Sequence, residues 1–149
     1  MGREGDLNAS GSYDPSSRAG THVLNQNSSE WSSLWWALEP VGNGYVRIRS
    51  QWEDGTGYLG RIGTWNGFEW VPEQDMYVGE LDPDGWHQQW MIEPDPAGGY
   101  NLVNRWHPES GALTRDVFRT ESGRFLPTNE ITLYPLAGFW ASQRWSLEG

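Results

Sequence analysis

Trp31-Ser-Ser-Leu-Trp-Trp36-Ala-Leu-Glu39, Trp86-His-Gln-Gln-Trp90-Met-Ile-Glu93 and Trp140-Ala-Ser-Gln-Arg-Trp145-Ser-Leu-Glu148 are three versions of one phrase. Each has a Trp, a short gap, a second Trp, an apolar pair or near-pair, and a Glu. The second Trp falls at 36, 90 and 145, intervals of 54 and 55 residues. A fixed period of this size marks a fold built from like units, none of which can bury its apolar face alone. Three units imply pseudo-threefold symmetry around one shared core.

The repeat runs outward from these phrases. Gly44-Tyr45-Val-Arg-Ile-Arg-Ser-Gln-Trp52 is answered by Gly99-Tyr100-Asn-Leu-Val-Asn-Arg-Trp106, and Gly57-Tyr-Leu59 by Gly111-Ala-Leu113. A short apolar run precedes each Trp pair: His22-Val-Leu24, Met76-Tyr-Val78 and Ile131-Thr-Leu133. Each unit therefore reads as four short segments. They are rich in Val, Ile, Tyr, Trp and Thr and bounded by Gly, Pro, Asn and Asp, the composition of strands between turns. In Tyr45-Val-Arg-Ile-Arg49 the alternation puts Val46 and Ile48 on one face and Arg47 and Arg49 on the other. Gly42-Asn-Gly44, Asp54-Gly55, Asn66-Gly67, Asp84-Gly85 and Gly98-Gly99 supply turns. No window carries a capped helical face, and 19 Gly with 9 Pro disfavour long helices. The chain is expected to be all-β.

The order and spacing of these segments resemble the β-trefoil superfamily, in particular ricin-B-type lectin modules. Gln88-Gln-Trp90 and Gln143-Arg-Trp145 are similar to the Gln-x-Trp signature that closes such units, and the Gly-Tyr openings at 44 and 99 are similar to those of trefoil modules on bacterial glycoside hydrolases. A looser form occurs in fascin-like domains. The resemblance covers about residues 21–149 and implies a single β-trefoil domain with units ending near Glu39, Glu93 and Glu148. The first unit departs from the pattern, with Leu34-Trp-Trp36 in place of Gln-x-Trp. The Asp of the ricin-type sugar pocket has no placed counterpart. Trefoils also serve as protease inhibitors, cytokines and actin cross-linkers, so fold alone does not fix function.

Residues 1–20 are poor in bulky apolar side chains, with Leu7 and Tyr13 the main exceptions. They read as a poorly ordered tail. The alternative is a shortened first unit, because Leu7-Asn-Ala-Ser-Gly-Ser-Tyr13 echoes Leu102 to Leu113. A stunted unit leaves strand edges that invite pairing with another copy. Met1-Gly-Arg-Glu-Gly-Asp6 has no apolar stretch, so no signal peptide is legible, and no segment reads as a membrane span. Extracellular placement is favoured slightly over cytoplasmic. With no Cys, stability rests on packing. A formal net charge of −10 argues against nucleic acid and anionic membrane partners, which need basic patches.

The 11 Trp divide by position. Trp36, Trp90 and Trp145 recur before apolar residues and read as core. Trp31, Trp86 and Trp140 read as caps on the barrel floor. Trp35, Trp52, Trp65, Trp70 and Trp106 stand in polar, turn-rich surroundings. A ring there offers an apolar face to the C–H side of a sugar, while nearby acceptors bind its hydroxyls. Trp52 with Glu53 and Asp54, and Trp106 with His107 and Glu109, make such pairs; Trp65 and Trp70 complete the candidate set. Packing between units is the competing role for these rings.

Catalysis lacks partners. The three histidines, His22, His87 and His107, have no Cys or Ser-centred elbow beside them. The carboxylate pairs Glu73/Asp75, Asp82/Asp84 and Glu93/Asp95 lie in turns, where acidic residues serve turn chemistry. Asp82-Pro-Asp84-Gly85 is half of a calcium loop without its terminal Glu. Asn8 and Asn27 are glycosylation acceptors by pattern alone. The expectation is a non-enzymatic trefoil, with no cofactor and no metal, that binds oligosaccharide through shallow aromatic sites, one per unit. A self-assembly or protein-interaction module is the second reading, and a protease inhibitor the third.

Overall fold

The computed structural model describes residues 2–7, 13–20, 36–50, 57–137 and 141–146. They form ten strands: β1 (Gly2–Leu7), β2 (Tyr13–Gly20), β3 (Trp36–Gly42), β4 (Tyr45–Ser50), β5 (Tyr58–Trp65), β6 (Trp70–Gly79), β7 (Trp90–Pro94), β8 (Tyr100–Asn104), β9 (Ala112–Arg119) and β10 (Phe125–Tyr134). Among the described residues the only helical pieces are three-residue 3-10 turns at Trp86–Gln88, Pro108–Ser110 and Ala141–Gln143. The chain is all-β.

Tight turns set the registers. Between β3 and β4 the central residues Asn43 and Gly44 have φ of 55° and 84°. Positive φ at both positions is what a two-residue type I′ hairpin requires, and its twist matches that of the strands. Antiparallel pairing then carries Trp36 opposite Ser50 and Leu38 opposite Ile48. β4 continues to β7, β7 to β8, and Tyr100 at the start of β8 bridges Trp145 through two hydrogen bonds of 2.8 Å. This series is the barrel wall. Branching from it are the hairpins β5–β6 and β9–β10, whose registers match: Leu59 faces Val78, and Leu113 faces Leu133.

The core is the repeat made solid. Ile48, Leu59, Val78 and Trp90 of unit two and Leu102, Leu113 and Leu133 of unit three form one buried cluster, with Trp36, Val46 and Trp145 packed against it. The indole N–H of Trp90 donates to the Leu59 carbonyl and that of Trp145 to the Leu113 carbonyl, each at 3.0 Å. Gln88 and Gln143 are likewise buried and bonded alike. Their Oε1 atoms accept the backbone N–H of Asp82 and Ala137, and their Nε2 groups donate to the carbonyls of Glu80 and Pro135. The Gln of Gln-x-Trp thus ties down the loop that leads into it, and those bonds satisfy the buried amide.

Gly2–Leu7 and Tyr13–Gly20 pair antiparallel as a hairpin, from Gly2 opposite Gly20 to Leu7 opposite Tyr13. β2 lies against β6 and β10, which also lie against each other, so three hairpins meet at one end of the molecule. The arrangement is a β-trefoil. Among the described residues no strand takes the place in unit one that β4 and β8 hold later.

Candidate functional site

The loop between β6 and β7 is built around a turn. Asp82 accepts the N–H of Gly85 at its carbonyl and that of Asp84 at Oδ1, and the chain then enters the Trp86–Gln88 turn. Gly85 is required: a Cβ there would collide with the His87 ring and lie 2.8 Å from Asp82 Oδ2. Gln88 clamps this loop from below. Its Nε2 also donates to Tyr77 Oη at 3.0 Å, and the same hydroxyl shares a hydrogen bond with His87 Nε2, 2.8 Å away. Burial holds the His87 pKa below the ordinary 6.5, opposed by nearby Asp82, and burial pushes the Tyr77 phenol upward.

The second wall comes from the next unit. After β8 the chain turns through His107, whose φ of 56° is left-handed, into the Pro108–Ser110 turn. Asn104 holds the base of this loop by accepting the Trp106 N–H and donating to the His87 carbonyl. Arg61 of β5, 2% exposed, holds its rim. Its guanidinium donates to the carbonyls of Glu73, Trp106 and His107 and to Ser110 Oγ, at 2.7–3.2 Å. Burial lowers the Arg61 pKa, with Glu109 and Glu73 acting the other way. One cation thereby ties unit two to unit three. The Trp106 ring lies on Gly63, where a Cβ would come within 2.6 Å of it.

Between these walls opens a cavity of about 880 Å³, lined by Trp70, Trp86 and Trp106, with Tyr77, His87, Asp82 and Asp84 beside them. Trp106 meets the His87 ring edge-on at 6.5 Å. Trp86 is backed by Arg105, whose guanidinium lies 4.1 Å from its ring centre and 4.3 Å from that of Tyr45. Arg105 is fixed in turn by Gln89 Oε1 at 2.7 Å. Cation–π contact on one face orients Trp86 while the ring remains 54% exposed. Among the described residues, no donor lies within hydrogen-bond distance of the Asp84 carboxylate or of Asp82 Oδ2. The indole N–H groups of the three lining Trp have no acceptor there either. The cavity offers flat apolar faces, free acceptors and free donors.

The sequence candidates scatter around this site. Trp70 and Trp106 line it. Trp65 meets Trp70 across the ladder with its ring tilted, ring centres 5.7 Å apart, outside the cavity. His107 and Glu109 bond to each other at 2.9 Å on the exposed side of the loop, and the Glu109 carboxyl is held below its usual range by its own backbone N–H and then by His107. Trp52, Glu53 and Asp54 lie outside the described residues. Trp86 is no floor cap: its place in a 3-10 turn swings it to the cavity, against Arg105. Tyr77, Asp82, Asp84 and His87 were missed as site residues. The Asp82/Asp84 pair was legible, but read as turn chemistry, which is half of what it does.

No protein-family model matches the chain, and no curated protein sequence matches it. Among solved structures, the chain is similar to a designed threefold-symmetric protein, ThreeFoil, with a TM-score of 0.59 and 18% identity over 97% of this chain and 89% of that one. It is similar also to part of a mosquitocidal holotoxin, with a TM-score of 0.57 and 19% identity over 78% of this chain. The match spans 13% of the toxin chain. At such identities the likeness is one of fold.

Proposed function

We propose that this β-trefoil is a non-catalytic carbohydrate-binding module, and that its site is the cavity between the β5–β6 hairpin and the loop after β8. The observation that carries this reading is the meeting of three indole faces with two under-bonded carboxylates in one open cavity. A sugar ring is strongly hydrated, so binding must replace water at its hydroxyls and add contact that water cannot make. Trp70, Trp86 and Trp106 provide that contact at C–H faces. Asp82 and Asp84 accept hydroxyl protons, and indole N–H groups donate to ring substituents. The lining is held by Gln88, Arg61 and Arg105 before any ligand arrives, which limits the entropy lost on binding.

A glycan array followed by titration of intrinsic fluorescence tests the proposal. Trp106→Ala and Asp82→Asn are expected to weaken binding at least about tenfold, because each removes a stacking face or an acceptor. Gly63→Val is expected to do the same by pushing Trp106 inward. Binding unchanged in all three variants would move the site elsewhere. A self-assembly or protein-interaction module is the second reading, favoured by the exposed rings of Trp65, Phe68 and Trp70. It requires a dimer or larger species by light scattering at micromolar concentration.

A further inference from the structure

The tip of the β5–β6 hairpin carries three large rings in six residues: Trp65 is 53% exposed, Trp70 60% and Phe68 91%. In a chain this polar, a contiguous exposed aromatic patch marks a contact surface. The tip is also rigid. Asn66 Oδ1 accepts the N–H groups of Phe68 and Glu69 at 2.9 and 3.0 Å, its own N–H donates to the Glu69 carbonyl at 3.1 Å, and Gly67 takes a φ of 101°. Trp70 belongs to both regions, lining the cavity on one side and meeting Trp65 on the other. The aromatic surface is therefore continuous from the cavity to the tip.

We infer that Trp70, Trp65 and Phe68 form an outer subsite that takes the further rings of a single soluble, twisted, uncharged glycan chain whose first ring occupies the cavity. This inference rests on the carbohydrate reading above. The Trp65–Trp70 spacing of 5.7 Å is close to one pyranose residue along a chain, so neighbouring plates can serve neighbouring rings. Their planes are tilted by 59°. No flat face can lie on both, which excludes the surface of a crystalline polysaccharide. A chain whose successive rings rotate presents its faces in turn and can use both. Glu69, Glu73 and Asp75 are exposed beside the patch and repel uronate or sulfated chains as well as anionic lipid.

The test is calorimetry with oligosaccharide ladders, from monosaccharide to hexasaccharide, derived from amylose, xylan, β-1,3-glucan and chitin. Affinity for the matching ladder is expected to rise about threefold to tenfold with each ring that reaches Trp70 and Trp65, then level off. Trp65→Ala and Phe68→Ala are expected to remove that gain while leaving monosaccharide affinity and melting temperature unchanged. Crystalline cellulose and crystalline chitin are expected not to retain the protein. Length-independent affinity with cavity binding intact overturns the outer subsite and leaves the carbohydrate reading standing. Retention on a crystalline polymer overturns it too. So does a change of oligomeric state in Trp65→Ala, which would assign the tip to protein contact. Absence of any glycan binding removes both readings.

Discussion

Units two and three share an interior and differ on their surface. Ile48, Leu59, Val78, Gln88 and Trp90 in unit two stand where Leu102, Leu113, Leu133, Gln143 and Trp145 stand in unit three, with the same strand registers and the same glutamine-to-backbone hydrogen bonds. The cavity lining is not repeated. Where unit two has Gly63, Tyr77, Asp82, Trp86 and His87, unit three has Val117, Thr132, Ala137, Ala141 and Ser142. Arg61 is matched by Arg115. Interior positions answer to one shared core and must stay alike, whereas lining positions are released from packing and can diverge. Among the described residues, the lining that unit two contributes to the cavity is thus not repeated in unit three.

Three measurements can break or sharpen this comparison. The largest effect is expected for Trp90→Ala, a loss of about 3–5 kcal/mol in chemical denaturation, because the ring is fully buried and its removal leaves a cavity. Trp145→Ala should lose less, since Trp145 is only partly buried. Equal losses would mean that the two units enclose their tryptophans equally well.

The second effect separates stability from binding. Gln88→Ala and Gln143→Ala should each cost about 2–4 kcal/mol, because a fully buried side chain and the hydrogen bonds that hold its loop are lost together. Only Gln88→Ala should also weaken glycan binding, since Gln88 anchors Asp82 and Tyr77 beside the cavity, while Gln143 anchors Ala137. If both variants lose binding in proportion to stability, the lining of unit two has no special role.

The smallest effect concerns pH. His87 titrates in the fold below the ordinary 6.5, so between the two values the unfolded chain holds a proton that the folded chain does not. Stability from this group is present above 6.5 and lost as pH falls from 6.5 toward the folded value. Melting temperature should drop through this window, and drop less in His87→Gln. Unit three has Ser142 at the equivalent place and contributes no such term. An identical drop in His87→Gln would assign the acid sensitivity to other groups.

How much was legible follows from this division. The spacing of Trp36, Trp90 and Trp145, with Tyr45, Tyr100, Leu59 and Leu113, announced three units; Trp90, Leu59 and Leu113 are in the buried cluster, and Trp36 and Trp145 pack against it. Alternation in β4 was legible because it reports which side faces the core. The site was legible only in fragments. Trp70 and Trp106 stood out as rings in polar surroundings, but 36 residues separate them, and no local pattern says that Gly63 lets Trp106 approach the β5–β6 hairpin. Arg61 gave no signal either, because its partners are three carbonyls and a hydroxyl 12 to 49 residues away.

By itself, the sequence determined an all-β chain of repeated units, the identity of its core and the turns that set register, since period and turn chemistry are local properties written in adjacent residues. Only the tertiary structure decided that the first segment pairs as a hairpin, that Trp86 turns outward against Arg105, and that three indoles converge with Asp82 and Asp84. Those outcomes depend on which unit packs beside which, and that contact is made between residues far apart along the chain.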